Sequence, residues 1–465
     1  MKISTLFETA KDTGRLISEI RPQERSVHDK RMLSCSITIK PDETHQVFKG
    51  FGGALTESSG YVLSKLPVQL RDEAVRAYFD RKTGNGYTLA RTHMNSCDFS
   101  LENWACVPEK DETLASFSME RTDRYVTPLL KAADAAADGR LALLVSPWSP
   151  PVWMKDNGDM NRGGHLLPEY RRLWADYFVR FISELKNRGL TVKYVTVQNE
   201  PAAVQPWDSC EWSAEDEGIF AAQFLGPAFE KAGLSDTGIL VWDHNRDLLA
   251  ERFKASVSVP CADKYIAGAA YHWYSGDQYE TVRDVADTFP GKELIFSEGC
   301  VEGGPRSGAW FTGERYAHNI INDLNSGCTA WVDWNVVLDM QGGPNHAGNF
   351  CDAPVLADAD AEKLYYQSSY YYIGHFSRFI RPGAVRLSTS MNSGMTPATV
   401  DGRMGNTMEC CSFRNADGTT VLVVTNRTEA DMIYELRTTA ADDVPGTFFC
   451  PPRAIQTVVI NTEKR

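Results

Sequence analysis

The sequence predicts an α/β fold, a (β/α)8 TIM barrel with an appended antiparallel β-sandwich, and three observations lead there. From about residue 50 to 345, short apolar runs rich in β-branched residues alternate with amphipathic stretches, the signature of parallel βα units. Eight such runs can be counted, the number that closes a barrel. After about residue 375 the pattern changes to apolar/polar alternation broken by turn signals, as antiparallel strands require.

The eight strand candidates are 51–56, 88–95, 142–148, 193–199, 238–243, 266–273, 293–297 and 329–334. The clearest intervening helix is 170–188, where Leu173, Tyr177, Phe178, Phe181, Ile182 and Leu185 recur at helical spacing and Gly189 supplies a C-terminal stop. A doubly wound open sheet is the alternative architecture. It usually places a Gly-rich phosphate loop after its first strand, and Gly50-Phe51-Gly52-Gly53 lacks that pattern. In the tail, 410–414, 419–426, 432–436 and 454–460 alternate, separated by turns such as 415–418 and 403–406. The early run 34–39 alternates in the same way. The chain therefore divides into an N-terminal segment 1–48 that contributes to the sandwich, a catalytic barrel 49–375 and a C-terminal sandwich 376–465.

Bulk properties exclude several function classes. A formal charge of −13 argues against a nucleic-acid partner and against docking on anionic lipid. No run approaches the roughly 18 apolar residues of a spanning helix, so no stable membrane insertion is expected. The N-terminus turns charged at Glu8 before an apolar run of signal-peptide length develops. The 11 cysteines lack regular spacing, and Cys410-Cys411 sits in a strand, where neighbours face opposite ways. Reduced thiols and a cytoplasmic location are the expectation. The 9 histidines are scattered, and HExxH, CxxC, Walker A and GxSxG patterns are absent, so neither cofactor nor metal is expected. The oligomeric state is left open.

In a barrel of this kind, strand C-termini face the active site. The fourth candidate strand ends Gln198-Asn199-Glu200-Pro201 and the seventh ends Phe296-Ser297-Glu298-Gly299, each placing a Glu where an apolar run meets its loop. Glycoside hydrolysis needs two such carboxyl groups, and strands four and seven lie nearly opposite across a barrel mouth. On this reading Glu200 is the acid/base and Glu298 the nucleophile, kept ionised by donors for which Arg91 and the Tyr274 hydroxyl are candidates. Asn199 is placed to meet a sugar 2-hydroxyl, and Pro201 stiffens the turn. The bland alternatives are solvated strand-end carboxylates, an Arg91 paired only with Asp98, and a Tyr274 that is ordinary core. Trp148, Trp153, Trp207, Trp273 and Trp334 cluster at the same strand ends, as packing or as platforms for sugar rings.

Taken together, these segments resemble glycoside hydrolase family 30 and, within it, its glucosylceramidase-like members. The resemblance runs in family order from about 45 to 380, through Phe48–Glu57, Ser96–Ser100, Ser146–Pro151, Gln198–Pro201, His272–Tyr274, Phe296–Cys300, Asp333–Asn335, Gly342–Asn345 and Gly374–Ile380. It implies a double-displacement mechanism with retention of β-configuration, with Glu200 as acid/base and Glu298 as nucleophile. It further implies that Asp98, Trp148, Asn199, Trp334 and Asn349 bind glucose hydroxyls, while Arg91, His272 and Tyr274 orient the nucleophile. The substrate expected is a small-molecule β-glucoside or a glycolipid. The loop after Glu200 looks shorter than in animal lysosomal relatives, which puts ceramide recognition in doubt. The family also hosts β-xylosidases and β-1,6-glucanases, and a silent glycan-binding protein on the same scaffold is the competing class.

Overall fold

The computed structural model describes residues 2–21, 33–392, 408–439 and 446–461. The chain separates into two compact units, one holding 51–305 and 330–365, the other 1–50, 306–329 and 366–465. The expected turn at 403–406 lies outside the described residues.

The first unit is the barrel. Its strands are β1 (Gly50–Ala54), β2 (Leu89–Met94), β3 (Ala142–Pro147), β4 (Thr191–Thr196), β5 (Gly238–Asn245), β6 (Ile266–His272), β7 (Glu293–Glu298) and β8 (Ala330–Asn335). They close in the order β7-β8-β1-β2-β3-β4-β5-β6. Every one of the eight coincides with an expected run. Their near-continuous apolar character follows from burial on both faces, as in β2 and β8, where all positions are buried. Leu89, Leu144, Tyr194, Leu240, Ala270, Ile295, Ala330 and Val332 fill the interior. Two glycines set how closely strands approach. A Cβ on Gly52 would lie 2.3 Å from Leu89 O, and one on Gly268 would lie 1.9 Å from Glu293 O.

Helix α1 (Arg171–Asn187) buries Trp174, Ala175, Tyr177, Phe178, Phe181, Ile182 and Leu185 as one stripe. Gly189 follows at φ +82°, the left-handed conformation that ends a helix without a Cβ penalty. Beyond β8, the strands Val337–Asp339, Val355–Asp358 and Lys363–Tyr366 form a small sheet, and the loop between the first two carries Asn349.

The second unit holds a nine-stranded sheet in the order Gly446–Cys450, Met432–Thr438, Leu33–Val47, Val385–Asn392, Met408–Arg414, Thr420–Asn426, Ala454–Asn461, Lys2–Ala10, Ser18–Ile20. Side chains from both ends of that order, Phe448 and Tyr434 with Leu6 and Val458, share one core, so the sheet doubles over into a sandwich. The N-terminal segment supplies three strands. One pairing is parallel, Leu33–Val47 with Met432–Thr438, which makes an otherwise antiparallel sheet mixed. The helices Trp310–Asn325 and Ser368–Ser377 pack with this unit. Their polar edges explain why: His318 Nδ1 lies 2.7 Å from Glu409, Asn325 donates to Cys410 O at 2.9 Å, and His375 bridges Thr9 and Thr457 at 2.9 Å each.

Candidate active site

Glu200 lies four residues past the end of β4. The chain there is held between its neighbours, with Asn199 N–H donating to Pro147 O at 2.8 Å and Glu200 N–H to Asp243 O at 3.0 Å. Those bonds fix Glu200 at φ +47°, a left-handed conformation costly for a residue with a Cβ. Glu298 is the last residue of β7 and is 7% exposed. One oxygen of Glu200, one of Glu298 and a ring nitrogen of His272 all lie within 4.8 Å of one another.

Arg91, fully buried on β2, ties the floor together. Its guanidinium donates to Glu298 Oε2 at 2.5 Å, Asn199 Oδ1 at 2.8 Å, Asp243 Oδ2 at 2.7 Å and Ser146 Oγ at 3.2 Å. It stands 4.8 Å from the Trp148 ring and 5.4 Å from that of Trp334, both in cation–π range. Tyr274 OH gives Glu298 a second donor, at 3.0 Å. His272 spans two carboxylates, with Nδ1 3.2 Å from Glu200 Oε1 and Nε2 3.1 Å from Asp243 Oδ1. Asp243 also accepts from Ser146, Thr196 and Ser297 at 3.0, 2.7 and 2.6 Å.

These contacts set the charges. Asp243 is held well below the usual carboxylate range, because the Arg91 charge with the His272 and Ser297 hydrogen bonds overcomes the opposing effect of burial. For His272, burial works against the charged ring, but Glu298 and the bonds to Asp243 and Glu200 outweigh it and push the ring up to about 9. Burial raises Glu298, with His272 and Arg91 pulling the other way. Glu200 is lowered despite burial, chiefly because His272 hydrogen-bonds to it. Glu200, His272 and Glu298 are a donor set of the kind that can ligate a metal. Here Arg91 and Tyr274 already hold Glu298, and Glu200 and Asp243 already engage both nitrogens of His272.

Above the floor opens a cavity of about 310 Å³, within the size range of small-ligand pockets. Trp148 and Trp334 line it as a stacked pair, 5.5 Å between centroids and 27° between planes. Asp98 lines it as well, and Asn349 donates to Asp98 Oδ2 at 3.1 Å. The other oxygen, Oδ1, is buried without a partner among the described residues. Burial first, then the nearby Glu298 charge, pushes Asp98 up to about 8, so it is largely protonated at neutral pH.

All ten residues singled out in the sequence therefore converge on one end of the barrel. One detail differs from expectation. His272 hydrogen-bonds to Glu200 and Asp243 rather than to Glu298. Of the five tryptophans, Trp148, Trp207 and Trp334 line the cavity, whereas Trp153 donates to Val107 O and Trp273 packs on Phe296 and Trp331. The sequence reading also passed over Asp243, Gln205, His244 and Asn245. Asp243 was findable, since Asp243-His244-Asn245 ends β5 with the polar run that marked strands four and seven.

Residues 48–380 match the model of the glycosyl hydrolase family 30 TIM-barrel domain, and 383–458 that of the family's beta-sandwich domain. The chain belongs to glycoside hydrolase family 30. This family 30 chain is 33% identical over 415 residues to the mouse lysosomal acid glucosylceramidase, covering 85% of itself and 78% of that protein. Among solved structures it resembles SrfJ from Salmonella typhimurium at 34% identity and TM-score 0.89, covering all of both chains. It also resembles the endo-beta1,6-glucanase BT3312 at 26% identity and TM-score 0.84, with 98% of each chain covered. The enzyme is a glycoside hydrolase. No helix among its described residues is long and apolar enough to cross a membrane.

Proposed function

We propose that this family 30 hydrolase is a retaining, exo-acting β-glucosidase of the glucosylceramidase-like kind. The observation that carries the reading is the approach of Glu200 and Glu298 within 4.8 Å across one cavity, which suits direct attack on the anomeric carbon and leaves no room for an intervening water. Glu298, aligned by Arg91 and Tyr274, attacks C1 while the C1–O bond to the aglycone breaks and Glu200 protonates the departing oxygen. The glucosyl ester so formed is opened by water, whose proton returns to Glu200.

The charge distribution is not that of an isolated protonated Glu200 beside an ionised Glu298, and His272 accounts for the difference. It holds a proton up to about 9 and touches Glu200, so the pair acts as one proton reservoir. Glu298, raised by burial, sets the lower limit of the working pH range.

Asp98, Asn349, Trp148, Trp334 and the Asn199 amide form the glycone site on this reading. Arg91 claims the Asn199 carbonyl, which leaves its NH2 for a sugar hydroxyl. The 11 cysteines, all free thiols, support a reducing compartment such as the cytoplasm. The test is the anomer first released from an aryl β-glucoside, followed by NMR. The β-anomer is expected, and initial α-glucose excludes double displacement. A second reading, β-1,6-glucan cleavage, is favoured by the likeness to BT3312. Faster turnover of polymeric β-1,6-glucan than of aryl glucoside, with oligosaccharide products, would establish it instead. Asn349 and Trp334 line the cavity, and contact from them to an exocyclic CH2OH would favour glucose over xylose, a point that relative rates on the two aryl glycosides decide.

A further inference from the structure

We infer that the leaving-group side of the cavity is built for a hydroxylated, sugar-like aglycone, with His244 and Gln205 as its specificity-determining residues. The inference rests on the glycosidase reading, and its starting point is where the leaving group must go. If Glu200 protonates the departing oxygen, the aglycone passes beside Glu200, and the lining side chains nearest that carboxyl group are what it meets.

Those side chains are polar. Gln205 lines the cavity with its amide 3.4 Å from Glu200 Oε2. Its backbone is fastened at both ends, with Gln205 N–H donating to Ser209 Oγ at 3.2 Å and its carbonyl accepting from Arg162 N–H at 2.8 Å. His244 lines the cavity from the end of β5, its ring 6.4 Å from that of His272. Its Nδ1 is buried and has no hydrogen-bond partner among the described residues. Burial holds the His244 ring below its ordinary range, so at neutral pH it is neutral and offers a hydrogen bond rather than a charge. Asn245 spends its carbonyl on Tyr274 N–H at 2.9 Å and keeps its amide for the cavity.

A plain alkyl aglycone laid against these groups would bury them unpaired, which is costly. A second sugar ring brings hydroxyls to each of them and an apolar face that Trp207, on the same loop as Gln205, can take. Val204, next to Gln205, is 59% exposed and is not part of the lining. A site made to pair a hydroxyl rejects the analogue that lacks it more strongly than an apolar slot rejects an added hydroxyl.

The experiment compares kcat/KM on a β-linked glucose disaccharide, octyl β-glucoside and an aryl β-glucoside. Wild-type enzyme should favour the disaccharide over the octyl glucoside by about tenfold or more. His244→Ala and Gln205→Ala should each reduce that ratio at least about fivefold, and His244→Asn should restore part of it. Because each ratio comes from one preparation, partial loss of folded protein cancels. Equal or better turnover of octyl glucoside by wild type, or variants that lower both substrates alike, overturns the inference. Absence of hydrolysis of all three β-glucosides by wild type is a different outcome, the failure of the glycosidase reading itself.

Discussion

The chemistry rests on few residues, and each has a separable effect. Glu298→Ala removes the attacking group and should leave no measurable hydrolysis. Glu200→Ala should slow aryl glucoside turnover by about 10²–10⁴-fold, with azide restoring turnover and yielding a β-glucosyl azide detectable by mass spectrometry. Arg91 neutralises Asp243 and Glu298 deep in the barrel, so Arg91→Met leaves two buried carboxylates uncompensated. A loss of about 3–5 kcal/mol in urea unfolding is expected, and an unchanged midpoint would show that Arg91 does not stabilise them. Titration adds a pH signature. The folded state raises Asp98 to about 8, so across pH 4 to 8 it retains a proton that the unfolded chain gives up, and stability falls as pH rises. His272, raised to about 9, contributes stability that is complete below about 6.5 and is lost as pH climbs through 9. Thermal midpoints should therefore decline from pH 6.5 to 9, and Asp98→Asn should flatten the part of that decline below pH 8.

Secondary elements were the most legible part of this chain, and their connections the least. Parallel barrel strands read as apolar runs because both faces are buried, and strand-end carboxylates stand out against them. What could not be read was how loops distant in sequence meet. Buried Asp208 accepts a hydrogen bond from Ser96 Oγ at 2.5 Å and forms an ion pair with His346 Nε2 at 3.1 Å, joining three loops that carry Asp98, Trp207 and Asn349. Nothing in the local sequence around His346 announces a partner 138 positions earlier. His346→Ala should free the Asn349 loop and raise KM for aryl glucoside severalfold while kcat changes less. A fall confined to kcat would show that the tether does not position Asn349. Trp153 and Trp273 teach the same point. An aromatic at a strand end marks either a cavity wall or the packing behind it, and Trp273, with its indole nitrogen on Cys300 O, is the latter.

At the scale of the molecule, the sandwich unit is the clearer case of structure that local pattern hides. Within the 1–48 segment assigned to the sandwich only 34–39 read as a strand, and Lys2–Ala10 did not, because pairing Phe7 with Thr457 spans nearly the whole chain. Leu6 and Ala10 belong to that unit's core, and the buried Glu8 accepts from Gln456 at 2.7 Å. The barrel unit holds every residue of the candidate site, and the central claim about it is that Glu298 forms the covalent bond to glucose. Trapping with a 2-fluoro-β-glucoside followed by peptide mapping measures this directly. The account predicts a single stoichiometric label on Glu298, and a label on Glu200 or on any other side chain would contradict it.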